Sequence, residues 1–300
     1  MYYAEPIYRP PSEAGSLLVQ ATVGCASAAR GQCYFCGSWV LDRVVPEKKF
    51  RVRPIRDIVD DLEEARASAG SGVRRIFFLD SNAMVMRTRG LVEITERAYA
   101  LFPHLERVSV YACASDILRK PPQDLARIRE AGLKLLYVGL ESGNEQVLGL
   151  HNKGSTVEET AQACLKAREA GLEVSVTVIL GLGGRGLSRP HAVDTGRAIS
   201  RMQPDYVGAL TLMAVPGTPV EDWIREGTFE VLSQEEILEE LRLMLENVEV
   251  RRKVVFRTNH ASNYLPLRGD LPSDRERMLE TIRKAQARKI PLRPESVRGL

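Results

Sequence analysis

The 300-residue sequence is sparing with the residues that staple, stack or span. It holds five cysteines, two tryptophans and four histidines, and aromatic residues make up 6%. Five cysteines in a chain this long exclude a small disulfide-stapled scaffold, and with 44% apolar residues the chain can bury a core of its own. No apolar run approaches the roughly 20 residues that cross a bilayer. The start, Met1-Tyr2-Tyr3-Ala4-Glu5, lacks a basic stretch followed by an apolar one, so no leader and no membrane are expected, and the expected location is cytoplasmic. An excess of charge is missing too. Lysine and arginine total 42 against 39 acidic residues, for a net charge of +3, and the one basic clump is Arg251-Arg252-Lys253. No nucleic acid is therefore expected as a partner. Low-complexity segments are absent, and 44% apolar against 27% charged residues speaks against global disorder.

What is present is alternation. Short β-branched or apolar runs at 17–23, 75–79, 107–111, 135–139, 174–180, 206–213 and 254–257 end in turn residues and read as buried strands. Amphipathic helical patterns lie between them. Pro54 opens one, with Ile55, Ile58, Val59 and Leu62 at helical spacing. Thr156 with Glu159, Ser233 with Glu236 and Ser273 with Glu276 have the spacing of capping boxes. The string Arg-Glu-Ala-Gly-Leu occurs at 129–133 and again 39 positions later at 168–172, each copy ending a helix before an apolar run. Such repetition predicts an α/β fold with parallel strands and helices outside, either doubly wound or closed towards a barrel. In both cases the ligand site lies at the C-terminal ends of the strands.

The cysteines are unevenly placed. Gly24-Cys25 follows the first predicted strand, and Cys33-Tyr34-Phe35-Cys36-Gly37 follows eight positions later. Small residues and Gly31 between them suit a loop that wraps an ion or cluster. Thiolates are the ligands an iron–sulfur cluster needs, and three of them leave one iron of a four-iron cluster open. Zinc would want a fourth ligand, which His104, His151, His191 or His260 could supply on folding. A redox C-x-x-C would have no use for Cys25.

The arrangement resembles the radical S-adenosylmethionine (SAM) superfamily, in the branch of coproporphyrinogen dehydrogenases, methylthiotransferases and elongator-type proteins. That family's usual C-x3-C-x-Φ-C has an aromatic residue at Φ, matched here by Phe35. The chain departs from it by placing seven residues rather than three between Cys25 and Cys33. The resemblance extends over about residues 16–219. Leu79-Asp80-Ser81-Asn82-Ala83 stands where the family has a turn for the SAM amino group. The stretch Val138-Gly139-Leu140-Glu141-Ser142-Gly143-Asn144, then His151-Asn152-Lys153-Gly154, is close to the family, as are Ile179-Leu180-Gly181-Leu182-Gly183-Gly184 and Pro216-Gly217-Thr218-Pro219. The resemblance implies a partial (βα)6 TIM-like barrel over 1–219 and a C-terminal helical extension over 220–300 that packs on or closes it. It implies a [4Fe-4S] cluster on Cys25, Cys33 and Cys36, and SAM held by Phe35, Asp80, Ser81, Asn82, Ser115, Glu141, Lys153, Thr177, Gly181 and Leu182. Asp80 would offset the ammonium, Lys153 would pair with the carboxylate and Glu141 would touch the ribose.

The implied activity is reductive cleavage of SAM to a 5′-deoxyadenosyl radical that acts on a small or medium substrate. An electron donor such as ferredoxin or flavodoxin would serve it. Two other readings stay open: transfer of an aminocarboxypropyl group from SAM, and a non-catalytic iron–sulfur or zinc sensor. Cys113, at the end of the third strand, is either a catalytic candidate or a small buried hydrophobe. Cys164, on one helix face with Val157 and Ala161, reads as core. The polar stretch 257–269 follows a predicted strand. It offers His260 as a proton donor and Asn259, Asn263 and Tyr264 as substrate contacts, or else forms a plain polar turn.

Overall fold

In the computed structural model, which describes residues 1–299, the apolar runs read from the sequence become strands. The strands are β1 (Leu17–Gln20), β2 (Thr22–Val23), β3 (Arg51–Val52), β4 (Arg75–Leu79), β5 (Arg107–Ala112), β6 (Leu133–Glu141), β7 (Glu173–Leu180), β8 (Tyr206–Thr211), β9 (Val254–Arg257) and β10 (Arg268–Leu271), of which β3 and β10 were not read from the sequence. The fold is α/β with mostly parallel pairing. The residues divide into two units. The first comprises Met1–Gln32, Ser38–Val138 and Gln162–Val174. The second comprises Cys33–Gly37, Gly139–Ala161 and all from Ser175 onward.

In the first unit β1 pairs with β4, β4 with β5 and β5 with β6, all parallel. β4 reads Arg-Ile-Phe-Phe-Leu and is buried on both faces, as helix-covered parallel strands are. Phe77 on β4 meets Tyr111 and Tyr137 edge-on at 5.1 and 5.9 Å. Full burial of such a ring stabilises by roughly 1.5–3 kcal/mol. The helix Ile55–Ala69 follows Pro54 and buries Ile58, Leu62 and Ala65. Both copies of the repeated string end a helix, at Glu130 and Glu169, and Gly132 and Gly171 take positive φ after them. The turn at Pro11–Glu13 is structural: Glu13 is fully buried, paired with Arg107 at 2.6 Å and hydrogen-bonded by Tyr137.

In the second unit β7 pairs with β8 and β8 with β9 in parallel, while β9 and β10 are antiparallel. Strand β10 was hidden in the sequence, because Arg268-Gly269-Asp270-Leu271 has too little apolar alternation to read as a strand. The packing explains it: a side chain at Gly269 would stand 2.8 Å from the Met278 sulfur of helix Arg275–Gln286. The capping box expected at Ser273 does not form. That helix is preceded by Asp274, whose carboxylate accepts from the Asp270 amide, and Ser273 Oγ donates to the Asp270 carbonyl. The boxes at Thr156 and Ser233 do form. Among the described residues no helix is long and apolar enough to cross a membrane.

Candidate active site

Cys25 stands at the end of the β2 strand, where the chain turns into the short helix Ala26–Ala29. Gly24 before it has φ +65°, and a Cβ there would lie 2.1 Å from the Lys48 carbonyl oxygen. The Gly24 amide donates to Asp80 Oδ2 at 3.3 Å, and the same oxygen takes a 2.6 Å bond from the buried Lys48 ammonium. Burial pushes the Asp80 carboxyl up, against the opposing pull of Lys48. One oxygen of Asp80 thus ties Lys48 to the loop that carries Cys25. Asn82 is fully buried. It donates to Asp116 and accepts from the Cys113 amide at 3.2 Å, so it pins the end of β5. The Cys113 sulfur lies 3.7 Å from Ser27 Oγ. Ser81 Oγ lies 3.4 Å from Ser38 Oγ, and Ser115 is half-buried on the helix Ala114–Arg119.

The second unit gathers more of the expected residues. Cys33 takes φ +63°, and the Cys36 amide donates to the Cys33 carbonyl at 3.0 Å, so the C-x-x-C forms one tight turn. That turn is hydrogen-bonded to the 151–153 segment: Cys33 N–H to the Asn152 carbonyl (3.0 Å) and Tyr34 N–H to the His151 carbonyl (3.1 Å). The Cys33 sulfur is 3.9 Å from the Lys153 carbonyl. Lys153 Nζ in turn bonds Glu141 Oε1 at 2.8 Å. Glu141 closes β6 with φ +63°, and its side chain occupies the space beside Gly139, where a Cβ would lie 2.0 Å from Oε1. The cysteine turn, Lys153 and Glu141 are therefore one connected group.

His151 anchors this group, a role the sequence did not reveal. Its ring is fully buried, meets Phe35 edge-on at 5.7 Å and Trp223 at 5.8 Å, and donates from Nε2 to the Leu182 carbonyl at 2.7 Å. Burial lowers its pKa to about 4, so the ring is neutral and Nδ1 is a bare acceptor without a hydrogen-bond partner. Gly181, with φ +81°, and Leu182 form the buried turn after β7, and Thr177 is half-buried on that strand. Of the 257–269 stretch, Asn263 is buried and bonds Thr211 Oγ1 and the Ala209 carbonyl, while Tyr264 bonds Glu295 and lies under the Arg298 guanidinium. Both side chains tie the loop to its neighbours. Asn259 is exposed. His260 is half-buried, with Nδ1 accepting from the Ser262 amide, and burial lowers its pKa.

The three thiols Cys25, Cys33 and Cys36 are each half-buried, and none is in a disulfide. Among the described residues no group of three His, Cys, Asp or Glu side chains is placed to hold a metal ion. The donor chemistry nevertheless fits a cluster: soft sulfur ligands, two of them on one turn, flanked by apolar and aromatic side chains.

Comparison with known proteins decides the family. The model of the radical SAM superfamily matches residues 19–195, more than half of the chain. The chain belongs to the radical SAM superfamily. Over 208 residues it is 26% identical to the anaerobic magnesium-protoporphyrin IX monomethyl ester cyclase of Cereibacter sphaeroides, covering 68% of this chain and 32% of that protein. It is 27% identical to the biotin synthase of Methylobacterium radiotolerans over 69% of this chain and 57% of the relative. Among solved structures, coproporphyrinogen III oxidase from Escherichia coli, a radical SAM enzyme, superposes with a TM-score of 0.54 at 17% identity. It covers 77% of this chain and 51% of that one. The chain thus spans between a third and about three-fifths of these relatives' length. Its fold is the partial TIM-like barrel class of radical SAM structures. It is an enzyme of this superfamily, whose cofactors are a [4Fe-4S] cluster and SAM and whose members need a reductant.

Proposed function

We propose that this chain reductively cleaves SAM to a 5′-deoxyadenosyl radical and turns that radical on a small or medium substrate. Residues 1–219 would carry the cofactors, and residues 220–300 would brace or cover them. The observation that carries this reading is the connected group of cysteine turn, Lys153 and Glu141. It joins a thiol pair to a cation and an anion suited to the carboxylate and ribose of SAM. When bound, the cluster supplies the electron that breaks a carbon–sulfur bond of the sulfonium. Cys25, Cys33 and Cys36 would hold the iron, leaving one position open. Lys153, released from Glu141, would take the SAM carboxylate, and Glu141 would then accept from the ribose hydroxyls. Gly181 and Leu182 would present bare backbone to the adenine. Thr177, Ser115, Ser81, Asn82 and Phe35 would complete the wall, and Asp80 would hold the Cys25 loop in place. His260 and Asn259 are left to face the substrate, with Cys113 beside the cofactors. The electron would come from a ferredoxin- or flavodoxin-type donor.

Anaerobic reconstitution with iron and sulfide, followed by reduction with SAM present, tests the reading. Formation of 5′-deoxyadenosine, lost in Cys33→Ala and Cys36→Ala, is the expected result. Methylthioadenosine in its place would mean aminocarboxypropyl transfer. An intact cluster that cleaves no SAM would mean a sensor.

A further inference from the structure

The helix Gln234–Glu246 carries a carboxylate where an apolar residue belongs. Ile237, Leu241 and Met244 form its buried stripe, and Glu240 sits on that stripe, itself 1% exposed. An unmatched carboxylate there would cost several kcal/mol, so its partners matter. The Gly181 amide donates to Glu240 Oε1 at 2.5 Å, and Ser188 Oγ donates to Oε2 at 2.5 Å. His191 Nε2 lies 3.5 Å from Oε1 and 3.1 Å from the Ile179 carbonyl, while His191 Nδ1 meets Ser142 Oγ at 2.7 Å. Nε2, between two acceptors, must carry a proton, Nδ1 shares its hydrogen bond with the Ser142 hydroxyl, and that hydroxyl oxygen accepts from the Asn144 amide at 3.0 Å. Every polar atom in this chain of contacts has a partner. It runs from the helix to two places: the turn at Gly181 and the residue after Glu141. Ile237, one turn earlier on the same face, would stand 3.1 Å from a Cβ at Gly181. The helix therefore touches that turn twice.

We propose that Glu240 is a positioning residue for SAM: by accepting from the Gly181 amide and bracing His191 and Ser142, it sets the Gly181 turn and the Glu141 corner that receive the adenosine. The inference rests on the SAM-binding role given above to Gly181 and Glu141. A glycine turn with φ +81° is intrinsically loose. A charge-assisted hydrogen bond from a packed helix removes that looseness before the ligand arrives, which lowers the cost of binding. SAM affinity depends on it, whereas the electron-transfer chemistry does not pass through it.

The test compares Glu240→Met, which keeps the volume and loses the acceptor, with Glu240→Gln, which keeps an acceptor for Gly181. In the reconstituted enzyme, the SAM dissociation constant by anaerobic equilibrium dialysis is expected to rise at least about tenfold in E240M, as loss of a hydrogen bond to a charged group implies. It should stay near the unaltered value in E240Q, with the rate of SAM cleavage at saturation maintained in both. An unchanged dissociation constant in E240M, or a loss of saturated rate with affinity intact, overturns the inference. Should E240M fail to fold, amide exchange of the unaltered protein decides. SAM is expected to slow exchange both at 179–184 and along 234–246, and protection that stops at the turn overturns the inference. If the unaltered protein binds no SAM, the proposed function falls together with it. If it binds and cleaves SAM while E240M binds as tightly, only the role of Glu240 falls.

Discussion

Two glycines in the Gly139–Gly143 stretch illustrate how different jobs hide behind one residue type. A Cβ at Gly139 would lie 2.0 Å from Glu141 Oε1 and 3.1 Å from Lys153 Nζ, both at the mobile ends of long side chains. Those ends can swing away, so Gly139→Ala should cost little stability. What it should displace are the Glu141 carboxylate and the Lys153 ammonium, and with them the placement of both groups for SAM. A Cβ at Gly143 would instead lie 2.3 Å from the Asp194 carbonyl oxygen and 2.5 Å from the Thr195 Cα, which are backbone. Backbone held within the helix Gly184–Met202 cannot step aside cheaply, so Gly143→Ala should cost about 1–3 kcal/mol. Urea denaturation and SAM binding measured on both variants check the contrast. Gly139→Ala should unfold near the unaltered midpoint but bind SAM poorly, and Gly143→Ala should unfold early. Equal midpoints in the two variants would contradict the geometry.

At the level of elements, the helix Gln234–Glu246 is seated by a close approach. A Cβ at Gly196 would stand 2.5 Å from the Met244 carbonyl oxygen and 2.8 Å from Asn247 Cβ. Gly196→Ala should therefore push the helix end outward and draw Glu240 away from Gly181. The expected outcome is a destabilisation of about 1–3 kcal/mol together with weaker SAM binding, readable by denaturation and dialysis on one preparation. This docking was not legible in the sequence, whereas the helix was: Ser233 and Glu236 announce its start, and its stripe recurs at helical spacing. The parallel strands were legible for a similar reason, since β-branched runs between glycines leave few alternatives. Strand β10 was not, because its pairing depends on a neighbouring strand and on Met278, which no local pattern encodes. His151 and His191 looked scattered because a histidine's role lies in what its two nitrogens meet after folding. Glu240 did leave a signal, a carboxylate on an apolar helix face, which stands out only once burial of that face is assumed. The roles of Asn263 and Tyr264 were not legible because a polar loop after a strand reads alike whether its side chains face a ligand or tie the loop down.

Across the whole molecule, buried ionisable groups pull stability in opposite directions as pH falls. Burial raises the folded-state pKa of Asp80 and Glu240, so the folded chain binds their protons before the unfolded chain does. Their contribution grows as pH drops towards the ordinary carboxylate range and shrinks as pH rises through the folded values. His151 acts the other way. Its pKa falls from 6.5 to about 4, chiefly through burial, with the Leu182 carbonyl bond opposing the change. Below about pH 6.5 the unfolded chain takes up a proton that the folded chain refuses until about pH 4, so stability is lost across that window. His151→Gln removes this titration and keeps a donor for Leu182. Relative to the unaltered chain, the variant should gain on the order of 2–3 kcal/mol between about pH 7.5 and about pH 4.5, since a tenfold difference in proton affinity between the folded and unfolded chains is worth about 1.4 kcal/mol. Urea denaturation at three pH values measures the difference. Parallel curves for the two proteins would mean that water reaches the ring and that the cysteine turn is not sealed on this side. A closing gap would mean that the wall behind Phe35 stays dry, as cluster chemistry in that turn requires.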